Sequence, residues 1–239
     1  MLMNNASNIE TFGRKIEDRL ISDLPVAPVA RFEHMLDLKN LKGDSTGYIK
    51  VFSGGRLEKG SSLSIDIAPG TRYFNIHIIP KAGYRAPRYL FEGMVSTHGS
   101  QVSIDLFPDI DKEMDVDWLI SEFGGVTAIY DEAMADDRYV FTPSRYMHMR
   151  AFQSPFFLCA RDVPEDDLPP LEDYAARYFD EWLKLLDSAS ESSDVDAAAR
   201  RVRRSHLAQT IIREDPDRHM VVSVYGESMT QSIEDASML

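Results

Sequence analysis

The stretch from Arg72 to Pro108 constrains this chain more than any other. It reads as three consecutive strands joined by links too short for a crossover helix, and such strands pair antiparallel. The middle one, Arg88 to Ser96, carries a carboxylate where an apolar residue is expected. Strand side chains alternate between faces, so Glu92 shares a face with Leu90 and Met94. In the preceding strand, Tyr73 to Pro80, Asn75 and His77 share a face with Ile79. Polar groups on apolar faces are costly to bury unless paired, and proton-handling sites are often built from them. Each residue also has a plainer reading. A lone Glu fits a solvated strand edge, and a lone His beside Ile fits a hydrogen-bonded core residue.

The rest of the chain extends the same architecture. Ile9 to Leu24 has Ile9, Phe12, Ile16, Leu20 and Ile21 at helical spacing and ends at Pro25 and Pro28. Strands are expected at Tyr48–Phe52, Ser62–Ile67, Tyr73–Ile79, Tyr89–Ser96 and Val102–Leu106, with Gly or Pro in the links. A helix follows from Met114 to Glu122, with Val116, Leu119, Ile120 and Phe123 as its stripe, and Tyr146 to Ala160 returns to strand character, interrupted at Pro155. The last third is helical. Leu171, Tyr174, Ala175, Tyr178, Trp182, Leu185 and Leu186 form an amphipathic stripe. Ala197–Arg213 and Asp217–Ala236 are further helices, and Asp187–Asp194 is a Ser-rich, acidic, mobile loop. The helices are too few to bury their stripes except on the sheet. The expectation is therefore one α/β domain over residues 1–239, a single-domain α/β/α sandwich with a central, mainly antiparallel sheet. It divides into an N-terminal helix (1–25), a sheet region (46–160) and C-terminal helices (168–239).

Composition excludes several function classes. At 239 residues and 44% hydrophobic, the chain can bury a large core. A single cysteine, Cys159, rules out an internal disulfide and any centre built from several thiolates. Neither a GxGxxG dinucleotide fingerprint nor a metal-ligand cluster is present in the sequence. The first residues carry no basic and apolar leader, and no apolar run reaches spanning length. The expectation is a soluble, cytoplasmic protein in a reducing compartment, with no membrane and, at a net charge of −13, no nucleic-acid partner. Against that charge stands the basic run Arg200 to Arg204. On a helix Arg200, Arg203 and Arg204 share a face, which fits either a solvated helix face or a docking patch for an acidic partner.

The spacing of the motifs resembles the ferredoxin-dependent bilin reductases. In that family a strand ends in Pro, a second Pro follows, and then the catalytic acid, at the intervals seen here from Pro80 to Pro87 to Glu92. The next strand closes on an Asp-Leu-x-Pro element, matched by Asp105 to Pro108. The family also carries an Asp upstream of a Phe-Gly or Tyr-Gly near the C-terminus, at the interval from Asp215 to Tyr225-Gly226. Met149-Arg150-Ala151-Phe152-Gln153-Ser154-Pro155 is similar to red chlorophyll catabolite reductase, the plant branch, which also resembles this chain in having Glu at the position of Glu92. Asn75 stands where the four-electron biliverdin reductases have His and several two-electron relatives have Asn.

The resemblance implies reduction of a linear tetrapyrrole, biliverdin-type or a red chlorophyll catabolite. The electrons would come singly from reduced ferredoxin, with no tightly bound cofactor. Glu92 would donate a proton from the sheet and Asp215 from the helical side, since desolvation keeps a carboxylic acid protonated near neutrality. Asn75 and His77 would hydrogen-bond the pigment or relay protons. Asp66 matches a further family acid if a short gap is placed at Pro69-Gly70. Arg150 and Ser154 are candidates for the pigment's propionates, and Arg200, Arg203 and Arg204 for docking ferredoxin. Two other classes share these features: a non-catalytic bilin carrier, and a reductase of the same fold acting on a non-bilin conjugated substrate.

Overall fold

In a computed structural model the protein is described over residues 2–96 and 99–238. The meander expected from the sequence is the backbone of the fold. Strands β3 (Ser45–Gly54), β4 (Leu57–Ala68), β5 (Thr71–Pro80), β6 (Arg88–Ser96) and β7 (Gly99–Phe107) lie side by side in chain order. A late strand, β8 (Leu158–Val163), joins beyond β7. Two short strands, β1 (Ala27–Pro28) and β2 (Leu38–Lys39), pair with β3 at the other edge, and every pairing is antiparallel.

Helices cover both faces, making one α/β/α domain. On one face α1 (Leu2–Asp23) and α5 (Leu168–Ser188) pack on Phe74, Ile76, Ile78, Tyr89, Phe91 and Ile104. Phe12, Ile16 and Leu20 are the buried stripe of α1, whereas Ile21 is solvent-exposed; the side chain of Ile9 lies outside the described residues. Burial of aromatics drives this face. Phe12 meets Phe91 edge-on at 5.0 Å. Trp182 and Tyr89 satisfy their polar tips on the carbonyls of Pro87 and Ala175, at 2.9 and 3.1 Å. The short helices α2 (Val116–Glu122) and α3 (Gly124–Met134) close the end of this layer through Leu119, Phe123, Val126 and Ile129. Val116 and Ile120, expected in the stripe of α2, are exposed.

The opposite face carries α4 (Met147–Phe152), α6 (Asp194–Glu214), α7 (Arg218–Tyr225) and α8 (Glu227–Ser237). Here Ile49, Val51, Leu63, Ile65 and Ile67 pack with Tyr225, Ile233 and Ala236. Leu90 and Phe107 pack with Leu207 of α6.

Three local expectations change. Tyr146 to Ala160 is a helical turn, α4, and then β8, because the bend at Pro155 separates them and only the part from Leu158 finds an open sheet edge. Asp217 to Ala236 is two helices, because Gly226 adopts φ +77°, a left-handed conformation that a glycine tolerates at a helix end. The Ser-rich segment after α5 is pinned: the Ser192 amide donates to the Gly83 carbonyl at 2.7 Å.

Candidate functional site

Register builds the floor of the site. Leu63, Asn75, Glu92, Ser103 and Cys159 form one row across β4 to β8, all on the face covered by α4 and α6 to α8. The next row toward the β4–β5 turn holds Ile65, Tyr73, Met94 and Gln101. Above these rows lies a cleft of about 330 Å³. Its walls come from the α4 segment (Tyr146, His148, Met149), the end of α6 and the start of α7 (Ile211, Asp215, Arg218), and α8 (Ile233, Glu234). A cleft with an apolar lining and few polar groups is the usual form of a small-molecule site.

Glu92 stands in the floor. Tyr73 donates its hydroxyl to Glu92 Oε1 at 2.8 Å. Burial raises the Glu92 pKa above its ordinary value; the Tyr73 hydrogen bond opposes the rise, and the charges of Asp215 and Asp105 add to it. Asp215 follows α6 and lines the same cleft, so the structure brings together the two acids that the sequence singles out. Its pKa is also raised by burial, against a hydrogen bond from the Asp217 amide at 2.9 Å. Asn75 is buried directly opposite Glu92 in the register, one row from Tyr73 on the same face of β5.

His77 shares this face but does not line the cleft. Its Nδ1 meets the Ser237 carbonyl at 3.1 Å, and burial together with Arg88, Lys59 and Arg204 pushes its pKa well down. The ring is therefore neutral, with the Nδ1 proton donated to the last turn of α8. Lys59 caps the same helix end through the Asp235 carbonyl at 3.1 Å.

Four other expectations need correction. Asp66 points to the opposite side of the sheet from Glu92: it lies in the row of Arg72 and Val95 and pairs with Arg72 at 2.8 Å. It lines a separate hollow, with Glu10 and Arg14 of α1. Arg150 is exposed, because the turns of α4 direct its neighbours His148 and Met149 into the cleft instead. Ser154 is buried away from the cleft and clamps Asp105, donating its amide to Oδ2 at 3.1 Å and its hydroxyl to Oδ1. Finally, Arg200, Arg203 and Arg204 are not one solvent-facing patch. Arg200 is inside, on the Ala82 carbonyl, and Arg204 is inside, on Asp109 at 2.7 Å and the Pro80 carbonyl at 2.5 Å. Only Arg203 of the three is exposed.

The cleft also has residues that sequence reasoning missed. Arg145, Arg161 and Arg218 supply cations, with Arg218 held by Glu234 and Glu227 at 2.6 Å each. Tyr146 and His148 stack at 5.8 Å on one wall. Tyr73 had a signal, since it precedes Asn75 by two and so shares its face; the three arginines had none. Among the described residues, no group of three or more His, Cys, Asp or Glu is placed to hold a metal ion, and no helix is long and apolar enough to cross a membrane.

Comparison with known proteins adds one finding. No family model matches the chain, and no curated protein sequence does. Among solved structures, the chain is similar to the crystal structure of phytochromobilin synthase from tomato in complex with biliverdin, with a TM-score of 0.78 at 16% sequence identity. The match covers 92% of this chain and 78% of that one. The chain therefore has the fold of that synthase, and the antiparallel sheet between helices expected from the sequence is that fold.

Proposed function

We propose that this protein is a reductase of a linear tetrapyrrole, a biliverdin-type bilin or a red chlorophyll catabolite, taking its electrons singly from reduced ferredoxin. The observation that carries the reading is the pair of acids Glu92 and Asp215 bordering one cleft, both with raised pKa values, in the fold of a protein crystallised with biliverdin. Reducing one double bond consumes two electrons and two protons. The conjugated pigment accepts the electrons, and the protein supplies protons to the carbons that gain them. A carboxylic acid kept neutral by desolvation is a competent donor near pH 7. Glu92 delivers one proton from the floor and Asp215 the other from the wall. A carrier would gain nothing from two desolvated carboxyls, which favours an enzyme.

The pigment's propionates need cationic partners, and Arg145 and Arg161 at the cleft take the role first assigned to Arg150 and Ser154. Ferredoxin is acidic and the chain carries a net charge of −13, so docking depends on local basic groups. Of the three arginines assigned to docking, Arg200 and Arg204 are buried, and the exposed Arg203 is left to meet it.

The test is an anaerobic mixture of the protein with biliverdin, and separately with a red chlorophyll catabolite, plus ferredoxin, its reductase and NADPH, followed by absorbance. A bound-pigment spectrum that converts to a new band, and fails to convert in Glu92→Gln, supports the reading. A stable complex without turnover indicates a carrier. No spectral change with either pigment overturns the tetrapyrrole assignment in favour of another conjugated substrate.

A further inference from the structure

Among the described residues, the Tyr73 hydroxyl of the floor hydrogen-bonds the proposed proton donor. Its place follows from strand alternation: Tyr73 and Asn75 emerge on the same face of β5, one row and the next, and the Tyr73 ring packs with the cluster that contains Ile65. The hydroxyl meets the carboxyl of Glu92 at 2.8 Å.

This arrangement distinguishes the two oxygens of Glu92. A neutral carboxylic acid has one oxygen that carries the proton and one that can only accept. Burial, and then the neighbouring Glu92 charge, raise the pKa of the Tyr73 phenol well above its usual value. The phenol therefore keeps its proton and acts as the donor in the contact. Its acceptor, Oε1, is the carbonyl oxygen of the neutral acid, and the transferable proton belongs on Oε2.

We propose that Tyr73 is a positioning residue that fixes the Glu92 carboxyl by holding Oε1, so that Oε2 alone presents and delivers the proton to a ligand in the cleft. The proposal rests on the reading of Glu92 as proton donor. The hydrogen bond has a second consequence. It stabilises the carboxylate left after the proton has gone, and so sets the pH at which the acid is spent.

Tyr73→Phe removes the hydroxyl and keeps the ring. In the assay above, turnover should fall about tenfold or more while KM stays within about twofold, as for a group acting after binding. The alkaline limb of the pH profile should move up by about one unit, because the carboxylate has lost its donor. The second measurement needs no turnover: infrared difference spectra of the acid carbonyl band of Glu92, identified by its absence in Glu92→Gln, titrated in wild type and in Tyr73→Phe. A band that titrates at higher pH in Tyr73→Phe supports the proposal, and one that titrates at the same pH overturns it. If wild type reduces no tetrapyrrole, the functional reading fails while the band still decides the role of Tyr73. Should Tyr73→Phe not fold, difluorotyrosine at position 73 keeps the packing and is a stronger donor. The band must then titrate at lower pH than in wild type, and an unchanged titration overturns the proposal.

Discussion

Asp105 on β7 and Ser154 just before β8 hold each other through two hydrogen bonds in a buried site: the Ser154 amide donates to Oδ2 at 3.1 Å and the hydroxyl to Oδ1. The contact ties the segment that walls the cleft to the sheet that floors it. Burial raises the Asp105 pKa to about 6, and the Ser154 and Leu106 donors hold it from rising further.

A carboxyl with a pKa raised on folding binds its proton more tightly in the native state than in the unfolded chain. Its contribution to stability is therefore greatest at low pH and declines as pH rises from about 4 to about 6, by roughly 3 kcal/mol for a shift of about two units. Ser154→Ala removes the hydroxyl donor, raises that pKa further and should lower stability at pH 7.5 by about 1–3 kcal/mol, with a smaller loss at pH 5. Denaturant unfolding at the two pH values measures both terms. An equal loss at both would show that the Asp105 charge is not what Ser154 serves.

Asp215 acts on Glu92 at a distance as well as on a ligand. The first cause of the raised Glu92 pKa is burial, and the charge of Asp215 adds to it. A donor acid works while protonated, so activity should hold on the acid side and fall as pH rises through the Glu92 pKa. In Asp215→Asn no charge can form beside Glu92 once the second donor has given up its proton, so the Glu92 pKa drops and the alkaline limb should move to lower pH, together with a fall in turnover of about 100-fold or more from the lost second donor. The profile is read from initial rates between pH 5 and 9. A limb that stays in place would separate Asp215 from Glu92 electrostatically.

The buried arginines give a prediction about stability. Asp109 accepts from Arg88 at 2.6 Å and from Arg204 at 2.7 Å, and both guanidiniums are inside. Asp109 has φ +50°, a conformation that Asn also adopts readily, so Asp109→Asn tests charge without backbone strain. Two buried cations would be left without their carboxylate, and the expected loss is about 3–5 kcal/mol. Arg203→Glu, on the exposed side of the same helix, should change stability by less than about 0.5 kcal/mol. Thermal melts of the two variants make the contrast, and similar losses would contradict the inward role of Arg204.

These residues also show what the sequence could reveal. Short Gly- and Pro-containing links made the meander legible, and alternation put Asn75 with His77 on one face of their strand and Glu92 with Leu90 and Met94 on one face of the next; the register then sets Asn75 opposite Glu92. The same alternation carries the information that separates Asp66, whose parity in β4 is that of the polar Ser62 and Ser64 and not of the apolar Leu63 and Ile65. The fate of Arg200 and Arg204 was not legible. Helical spacing says that they share a face, but only the sheet decides what that face meets, and the partner Asp109 lies 95 residues away. The helical turn at Met147 was hidden for a related reason: aromatic neighbours such as Tyr146, Phe152, Phe156 and Phe157 read as strand until tertiary packing decides which segment finds an edge.

His77 separates a structural role from a chemical one. Its Nδ1 proton caps the Ser237 carbonyl in the last turn of α8, and Lys59, whose pKa burial lowers to about 8, caps the same turn through Asp235. Orphan carbonyls at a buried helix end need such donors. Ile233 and Glu234 of α8 wall the cleft, so loosening the helix end disturbs how a ligand is held and leaves Glu92 in its strand. His77→Ala should cost about 1–3 kcal/mol of stability from the lost cap and raise KM severalfold, with turnover at saturating substrate within about threefold of wild type. His77→Gln, whose amide can donate to the same carbonyl, should recover most of the stability. A proton relay would behave oppositely: both variants would lose turnover by 100-fold or more at unchanged KM, since an amide carries no transferable proton. Rates over a range of substrate concentrations, measured alongside unfolding curves, decide between the two.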